Sequence, residues 1–281
     1  MRLGGPVFLD GEDPAELARE HSRLGYGAAY CPTVSLDEPE RIRAIRQAYA
    51  REGLIIAEVG AWKNLMAPDP AERRGNFSYV RDRLALAEEI GALCCVTLSG
   101  SFSPTSGRGP HPDDMAQAGF DLTVENVRKL LDSVRPKRTR FVLEMSTFVL
   151  PNGPDPYLAL LRAVDRPAFA VHFDPVNSIN CPERYFHTGD FIRECFAKLG
   201  PWIVSCHAKD TLLKPDRTMH VEETRIGLGN LDYRAFLTEL ARLPGDIPLM
   251  LEHLHTAEEY RRAAAHLRGV AAEVGVAFDL P

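Results

Sequence analysis

The sequence predicts a single (β/α)8 barrel, the TIM barrel class, as one domain from residue 1 to residue 281. Eight short apolar runs alternate with eight amphipathic stretches, which is the pattern of parallel βαβ units. The 281 residues are close to the roughly 250 residues that one such barrel needs. An open doubly wound sheet is the rival architecture, but no GxGxxG motif opens the first unit.

The apolar runs have the composition of buried parallel strands, which carry near-continuous hydrophobic sequence. Because parallel strands need long crossovers, the helical pattern between each pair of runs favours the same topology. The predicted strands are Pro6–Leu9, Ala28–Cys31, Leu54–Val59, Leu93–Leu98, Arg140–Glu144, Ala168–Asp174, Trp202–His207 and Ile247–Glu252.

The amphipathic stretches predict the crossover helices, and several begin with capping signals. Asp13, Asp69 and Asp155 each precede a proline, so each is placed to cap a first turn. Thr256 and Glu259 form a capping box. The predicted helices are Pro14–Leu24, Leu36–Arg51, Pro70–Ile90, Asp121–Val134, Asp155–Val164, Gly189–Leu199, Tyr233–Leu243 and Thr256–Val274.

Composition and charge argue against several classes of function. The chain is 45% hydrophobic with a net charge of −6, and it lacks the basic stripe of a nucleic-acid-binding protein. No long apolar segment occurs near the N-terminus, so we expect neither a signal peptide nor a membrane span. None of the six cysteines forms a CxxC pair, which argues against a thiolate zinc site and fits the cytoplasm.

The later predicted strands direct polar side chains towards the barrel axis. Side chains alternate along a strand, so one set faces the surrounding helices and the other faces the axis. If Phe141 and Leu143 face the helices, Glu144 faces the axis. The same alternation directs His172 and Asp174 inwards, with His172 one layer lower in a core or supporting position.

The last two predicted strands follow the same alternation. His207 and Lys209 face the axis, Val204 faces the helices, and Glu252 ends the eighth strand on the axial side. A single acid at a strand end is usually a solvated loop residue. Here four consecutive strands each end in a carboxylate or an imidazole, at the face where barrel active sites form.

This crowding of acidic groups predicts a metal ion. Carboxylates packed together cannot all stay ionised unless a cation lies between them. Carboxylates with one imidazole suit a divalent ion, and we expect one Mn²⁺, with Mg²⁺, Co²⁺ or Zn²⁺ as alternatives. The same ion could accept the hydroxyl and carbonyl oxygens of a sugar.

Most of the chain resembles the xylose isomerase-like TIM barrel superfamily, in its branch of sugar isomerases and epimerases, which includes ketose 3-epimerases and inosose dehydratases. The resemblance is densest from Arg140 to Tyr260. The matching segments are FVLEMS, VHFDPVNS, IVSCHAKD, RIGLGNLDY and PLMLEHL. The resemblance implies a small carbohydrate substrate and one metal bound by a Glu, an Asp, a His and a second Glu. In this chain those residues are Glu144, Asp174, His207 and Glu252.

The resemblance also implies proton transfer next to a carbonyl, through an enediolate that the metal stabilises. Glu144 and Glu252, on opposite walls, would take the proton from one face of the substrate and return it to the other. This gives epimerisation, whereas return to the neighbouring carbon gives isomerisation. Loss of a β-hydroxyl would instead make the protein a dehydratase or lyase on a keto-sugar, keto-glycoside or inosose.

Five further residues are predicted to contact the substrate. Asn177 stands where many epimerases carry a histidine, and it can bind a hydroxyl but cannot relay a proton. Lys209 could bind the enolate oxygen, and Arg225 a hydroxyl, carboxylate or phosphate, although both residue types are commonly solvated. Glu58 and Trp62 could flank the sugar, although Trp62 could equally pack between helices.

Other interpretations remain open. An endonuclease IV-like phosphodiesterase shares the barrel, but its three-metal site needs histidines where this chain has Glu58, Thr97 and Asn177. The negative net charge also disfavours DNA. A non-catalytic barrel is the third option, and a homo-oligomer is compatible with the sequence. His253 follows Glu252 with the outward alternation, so we predict a structural role for it.

Overall fold

The computed structural model describes residues 1–280, which form a closed eight-stranded parallel barrel. Each strand pairs with its neighbour in the chain, and the last strand closes the barrel by pairing with the first, Leu249 opposite Leu3. The predicted (β/α)8 barrel is therefore confirmed. The barrel strands are β1 (Arg2–Gly4), β2 (Ala28–Tyr30), β3 (Ile55–Gly60), β4 (Cys94–Thr97), β5 (Arg140–Glu144), β6 (Phe169–Phe173), β7 (Ile203–Ala208) and β10 (Pro248–Leu251).

Helices surround the barrel, and their capping residues explain where several of them begin. The side chain of Asp13 accepts from the first turn of α1, Asp69 does the same for α3, and Thr256 forms the predicted capping box. No helix within residues 1–280 is long and apolar enough to cross a membrane. The helices are α1 (Pro14–Arg23), α2 (Pro39–Arg51), α3 (Pro70–Ile90), α4 (Gln117–Val134), α5 (Pro154–Val164), α6 (Pro182–Phe186), α7 (Thr188–Leu199), α8 (Tyr233–Arg242) and α9 (Ala257–Glu273).

Several predicted boundaries are wrong, including the starts of α2 and α4, which are Pro39 and Gln117 and not Leu36 and Asp121. The first strand is Arg2–Gly4 and not Pro6–Leu9, because this strand pairs on both edges and Pro6 has no amide hydrogen to contribute to a ladder. Asp155 does not cap α5, which begins one residue earlier at Pro154 with Gly153 in the capping position.

An antiparallel hairpin of β8 (Asp210–Lys214) and β9 (His220–Thr224) follows β7 and was not predicted. Asp210 begins the hairpin directly after the seventh barrel strand, and Thr211 pairs with Glu223. The hairpin therefore leaves the barrel at the same end as the predicted metal ligands.

A small apolar cluster fills part of the barrel interior below those ligands. Cys94, Val96, Val142 and Ala170 form this cluster, and Val204 packs against it. The prediction that Val204 faces the helices is wrong because a bulge interrupts the alternation. Val171 pairs with Ile203 but His172 pairs with Ser205, so Val204 is the extra residue of β7.

Candidate metal and substrate site

Four strand ends bring three carboxylates and one imidazole together at the C-terminal face of the barrel. Glu144 ends β5, Asp174 directly follows β6, His207 lies on β7, and Glu252 directly follows β10. One ligand-type atom from each of the four residues lies within 4.8 Å of the others. The structure thus brings together the four residues predicted to bind a metal ion.

The imidazole of His207 directs its Nδ1 atom at these carboxylates. Nδ1 lies 2.9 Å from Glu144 Oε1, 2.9 Å from Glu252 Oε1 and 3.9 Å from Asp174 Oδ2. Nε2 lies on the other side of the ring and faces away from the cluster, towards Glu58. Nδ1 is therefore the nitrogen that could bind a metal ion here.

Lys209 adds a positive charge to the same cluster. It is 3% exposed, and its Nζ atom lies 2.7 Å from Asp174 Oδ2 and contacts Glu252 Oε1. Lys209 Nζ also donates to the side-chain oxygen of Asn177 at 3.2 Å, and the side-chain nitrogen of Asn177 donates to Asp174 Oδ2 at 3.0 Å. With all three carboxylates ionised and His207 neutral, as metal binding requires, the ammonium group of Lys209 leaves two negative charges, which a divalent cation would balance.

The ionisation of the cluster reflects this imbalance. Burial, with the nearby carboxylates of Glu144 and Glu252, raises the pKa of Asp174 to about 8 despite Lys209. Burial opposes ionisation of Glu144 too, but His207 and Lys209 outweigh it and lower that pKa to about 2. Burial lowers the pKa of His207, yet the surrounding carboxylates hold it well above its usual value.

The residues fit a divalent metal ion. Glu252 Oε1 is buried and, within residues 1–280, is approached only by cationic or ring nitrogens, those of Lys209 and His207, both of which also face other carboxylates. The donor set of the cluster is thus richer in carboxylate oxygens than its own positive groups can neutralise. Carboxylate oxygens with one imidazole nitrogen suit Mn²⁺, Mg²⁺, Co²⁺ or Zn²⁺.

Glu58, predicted to touch substrate, lies beneath this cluster and is 2% exposed. His207 Nε2 lies 3.0 Å from one of its carboxylate oxygens and His172 Nε2 lies 2.9 Å from the other. The Ser205 hydroxyl also donates to it. Burial raises the pKa of Glu58, but the two histidines outweigh this effect and hold it well below its usual range.

A polar cavity of about 580 Å³ opens beside Lys209 and Glu252. Arg225 lines it, as predicted for a substrate-binding residue, and its Nη1 atom donates only to the carbonyl of Ile226 among the described residues. Asn177 lines an adjoining cavity of about 380 Å³ that shares Glu223 with the first. The other lining residues of the larger cavity are Thr224, His253, Leu254, His255 and Glu259.

Trp62 lies apart from both of these cavities. It is 43% exposed and lines a separate space of about 200 Å³ with Asn64 and Arg108. The structure therefore does not bring Trp62 together with the residues around Lys209.

His253 is a cavity residue that the sequence did not indicate, and the outward direction predicted for it is wrong. Its φ of 59° places it in the left-handed region, so the alternation of the strand ends at Glu252 and the imidazole turns to the cavity. Its Nδ1 atom lies 2.7 Å from Glu223 Oε2 on the hairpin. Sequence alternation assumes an extended backbone and cannot detect this turn.

Asp210 explains the adjacent GLGNLD motif. Its buried carboxylate accepts the backbone N–H groups of Gly227, Gly229 and Leu231 at 2.9–3.1 Å. These contacts hold the loop after the hairpin against the barrel and bring Arg225 to the cavity wall. The motif thus has a local structural role that acts on the candidate site.

A family model described as xylose isomerase-like TIM barrel matches residues 19–270. No curated protein matches the chain.

Several solved structures share the fold along nearly the whole chain. A xylose isomerase-like TIM barrel protein from Mycobacterium smegmatis, in complex with magnesium, is 21% identical, with 92% of this chain and 89% of that one covered and a TM-score of 0.65. D-psicose 3-epimerase from Clostridium cellulolyticum, with D-tagatose, is 15% identical, with 99% and 100% covered and a TM-score of 0.69. Endonuclease IV from Thermus thermophilus is 17% identical, with 97% and 100% covered and a TM-score of 0.70. At these identities the likeness shows the fold and not the reaction.

Proposed function

Because this chain belongs to the xylose isomerase-like TIM barrel family, we propose that it is a divalent-metal-dependent sugar isomerase or epimerase. The observation that carries the proposal is the convergence of Glu144, Asp174, His207 and Glu252 within 4.8 Å of one another. A D-psicose 3-epimerase has the same fold, and its reaction is of the kind proposed here. At 15% identity this likeness supports the fold alone. When bound, a divalent ion would supply the Lewis acidity that polarises a substrate carbonyl.

The residues of the chain account for the movement of the proton. Glu144 and Glu252 come from β5 and β10, which β6 and β7 separate in the barrel. A carboxylate on each side can take a proton from the carbon next to the carbonyl or return one to it. Lys209, held between Asp174 and Glu252, can donate to the substrate oxygen on which negative charge develops.

The cavity supports a small polyhydroxylated substrate. Its volume of about 580 Å³ lies within the range of small-molecule sites, roughly 300–1,000 Å³. Glu223, Arg225 and His253 offer hydrogen-bonding groups on its wall, and two of them lie beside Lys209 and Glu252. Asn177 offers an amide on the adjoining side.

A dehydratase or lyase acting on a keto-sugar, keto-glycoside or inosose is the second candidate. The lyase reaction begins with the same removal of a proton from the carbon next to the carbonyl. It does not need a proton to be returned to the opposite face of that carbon. Asn177, whose amide donates to Asp174 at 3.0 Å, cannot relay a proton, so Glu144 and Glu252 would carry the proton transfers of either reaction.

A three-metal phosphodiesterase is disfavoured, because two positions where it would need metal-binding histidines are occupied otherwise. Glu58 is hydrogen-bonded to His172 and His207, and Thr97 donates to the carbonyl of Ala61.

Two measurements test the proposal. Elemental analysis of the purified protein is expected to find one divalent ion per chain. Incubation in D₂O with ketoses, keto-glycosides and inososes is expected to introduce deuterium next to the carbonyl of at least one of them, as detected by NMR. Glu144→Gln and Glu252→Gln should abolish the exchange, whereas Glu89→Gln, exposed near the end of α3, should retain it. A metal-free protein without exchange in any substrate would refute the proposal.

A further inference from the structure

We propose that Glu58 is a positioning residue that fixes the tautomer and orientation of His207 for metal binding. The inference rests on the proposed metal-dependent function and concerns a residue outside the set of four ligands. It replaces the substrate contact that the sequence predicted for Glu58.

The hydrogen-bond pattern at His207 carries the inference. A neutral imidazole has one N–H donor and one nitrogen acceptor. An ionised carboxylate accepts only, so the Nε2 atom 3.0 Å from Glu58 Oε2 must carry the hydrogen. In the neutral ring Nδ1 then has a free lone pair, and it faces Glu144, Asp174 and Glu252.

Residues on two other strands hold the Glu58 carboxylate in place. Its Oε1 atom receives His172 Nε2 at 2.9 Å from β6 and the Ser205 hydroxyl from β7, while Glu58 belongs to β3. At 2% exposure the carboxylate cannot reach solvent. Metal-binding histidines commonly donate their second N–H to a carboxylate, which orients the ring and raises its basicity. Glu58 is in that position here.

A second metal site made of Glu58, His172 and His207 is the competing explanation, because atoms of these three residues also lie within 4.8 Å of one another. The geometry disfavours it. The single carboxylate of Glu58 is already shared by His172, Ser205 and His207, whereas the cluster on the other side of His207 contributes three carboxylates, so the excess negative charge lies at Nδ1. The two explanations differ in the number of ions bound per chain.

The test compares metal binding by the full-length wild type, Glu58→Gln and Ser205→Ala. After removal of metal with EDTA, Mn²⁺ affinity is measured by isothermal titration calorimetry, and the ligand field is followed in the visible spectrum of the Co²⁺ form. Glu58→Gln is expected to weaken Mn²⁺ binding by about 10- to 100-fold and to change the Co²⁺ spectrum. Ser205→Ala, which removes one contact to the same carboxylate but leaves its bond to His207, should weaken Mn²⁺ binding less than Glu58→Gln does.

Wild-type Mn²⁺ affinity and an unchanged Co²⁺ spectrum in Glu58→Gln would overturn the inference while leaving the proposed function intact. Two ions per wild-type chain would also overturn it, in favour of the second site. No metal binding by the wild type would instead contradict the proposed function. If Glu58→Gln does not fold, Glu58→Asp serves as the second variant, because it withdraws the carboxylate by one methylene. Weaker Mn²⁺ binding by Glu58→Asp supports the inference, and wild-type binding overturns it.

Discussion

Carboxylate groups lie against both ring nitrogens of His207. Glu58 lies against Nε2, and Glu144 and Glu252 lie against Nδ1. In the metal-free protein this environment outweighs burial and raises the pKa of the imidazole well above its usual value. A bound divalent ion would take over the charge balance at Nδ1, and the ring would have to be neutral to bind it.

Metal binding should therefore release protons. His207 and Asp174, whose pKa is raised to about 8, both hold protons at neutral pH and both must lose them to act as ligands. Raised pKa values mean that protons compete with the metal at lower pH, so affinity should increase as the pH rises through this range. Calorimetry in buffers of different ionisation enthalpy should detect release of about one proton or more per ion near neutral pH.

Asp174→Asn provides the control for proton release, because it removes one of the two titrating groups while His207 remains. It should release fewer protons than the wild type. Metal affinity that does not change with pH would contradict the ionisation described for the cluster.

At the residue scale, alternation along the strands was enough to predict which side chains would meet. Glu144, Asp174, His207 and Glu252 all follow the inward alternation and lie together. It could not predict that Glu58 would lie beneath them, since inward direction does not determine depth along the axis. His253 was missed because its left-handed backbone conformation ends the extended pattern.

At the element scale, the helices were easier to predict than the strand details. Capping side chains such as Asp13 and Thr256 act within one turn and are visible in the sequence. The hairpin was not predicted because its sequence is charged and its strands pair only with each other. The bulge at Val204 depends on pairing with β6, which local sequence does not reveal.

The loop after the hairpin depends on a close approach between Asp210 and Gly229. A Cβ atom at Gly229 would contact the Asp210 carboxylate and lie 2.5 Å from the carbonyl of Thr211. Gly229→Ala should therefore displace the loop that carries Arg225 and destabilise the protein by about 1–3 kcal/mol in urea unfolding. Faster proteolysis at residues 225–231 should accompany the loss.

Gly75→Ala is the matched control for Gly229→Ala. Gly75 lies inside α3, where an added Cβ meets no atom within 4 Å, so alanine should stabilise the helix by about 0.5–1 kcal/mol. The same substitution is thus expected to have opposite signs at the two positions. Equal stability of the two variants would contradict the close approach described for Gly229.

At the scale of the whole molecule, the candidate site joins distant parts of the chain. The four predicted ligands come from β5, β6, β7 and β10, which together form half of the closed barrel. In the unfolded chain these residues would be far apart and would bind a metal ion only weakly. A ligand that binds the folded state in preference to the unfolded state stabilises the fold by mass action.

Divalent metal should consequently raise the melting temperature of the protein. At a free Mn²⁺ concentration of 100 times Kd, the stabilisation is about 2.7 kcal/mol. For a chain of this size that corresponds to roughly 5 °C or more, measured by calorimetry against an EDTA-treated sample. Glu252→Gln, which removes a ligand charge, should reduce the shift on Mn²⁺ addition, whereas Glu89→Gln, exposed near the end of α3, should retain it. Because each variant is compared with its own metal-free form, any change in intrinsic stability cancels. Identical shifts in both variants would mean that the stabilising ion binds elsewhere, and the site at the ends of these four strands would lose its main support.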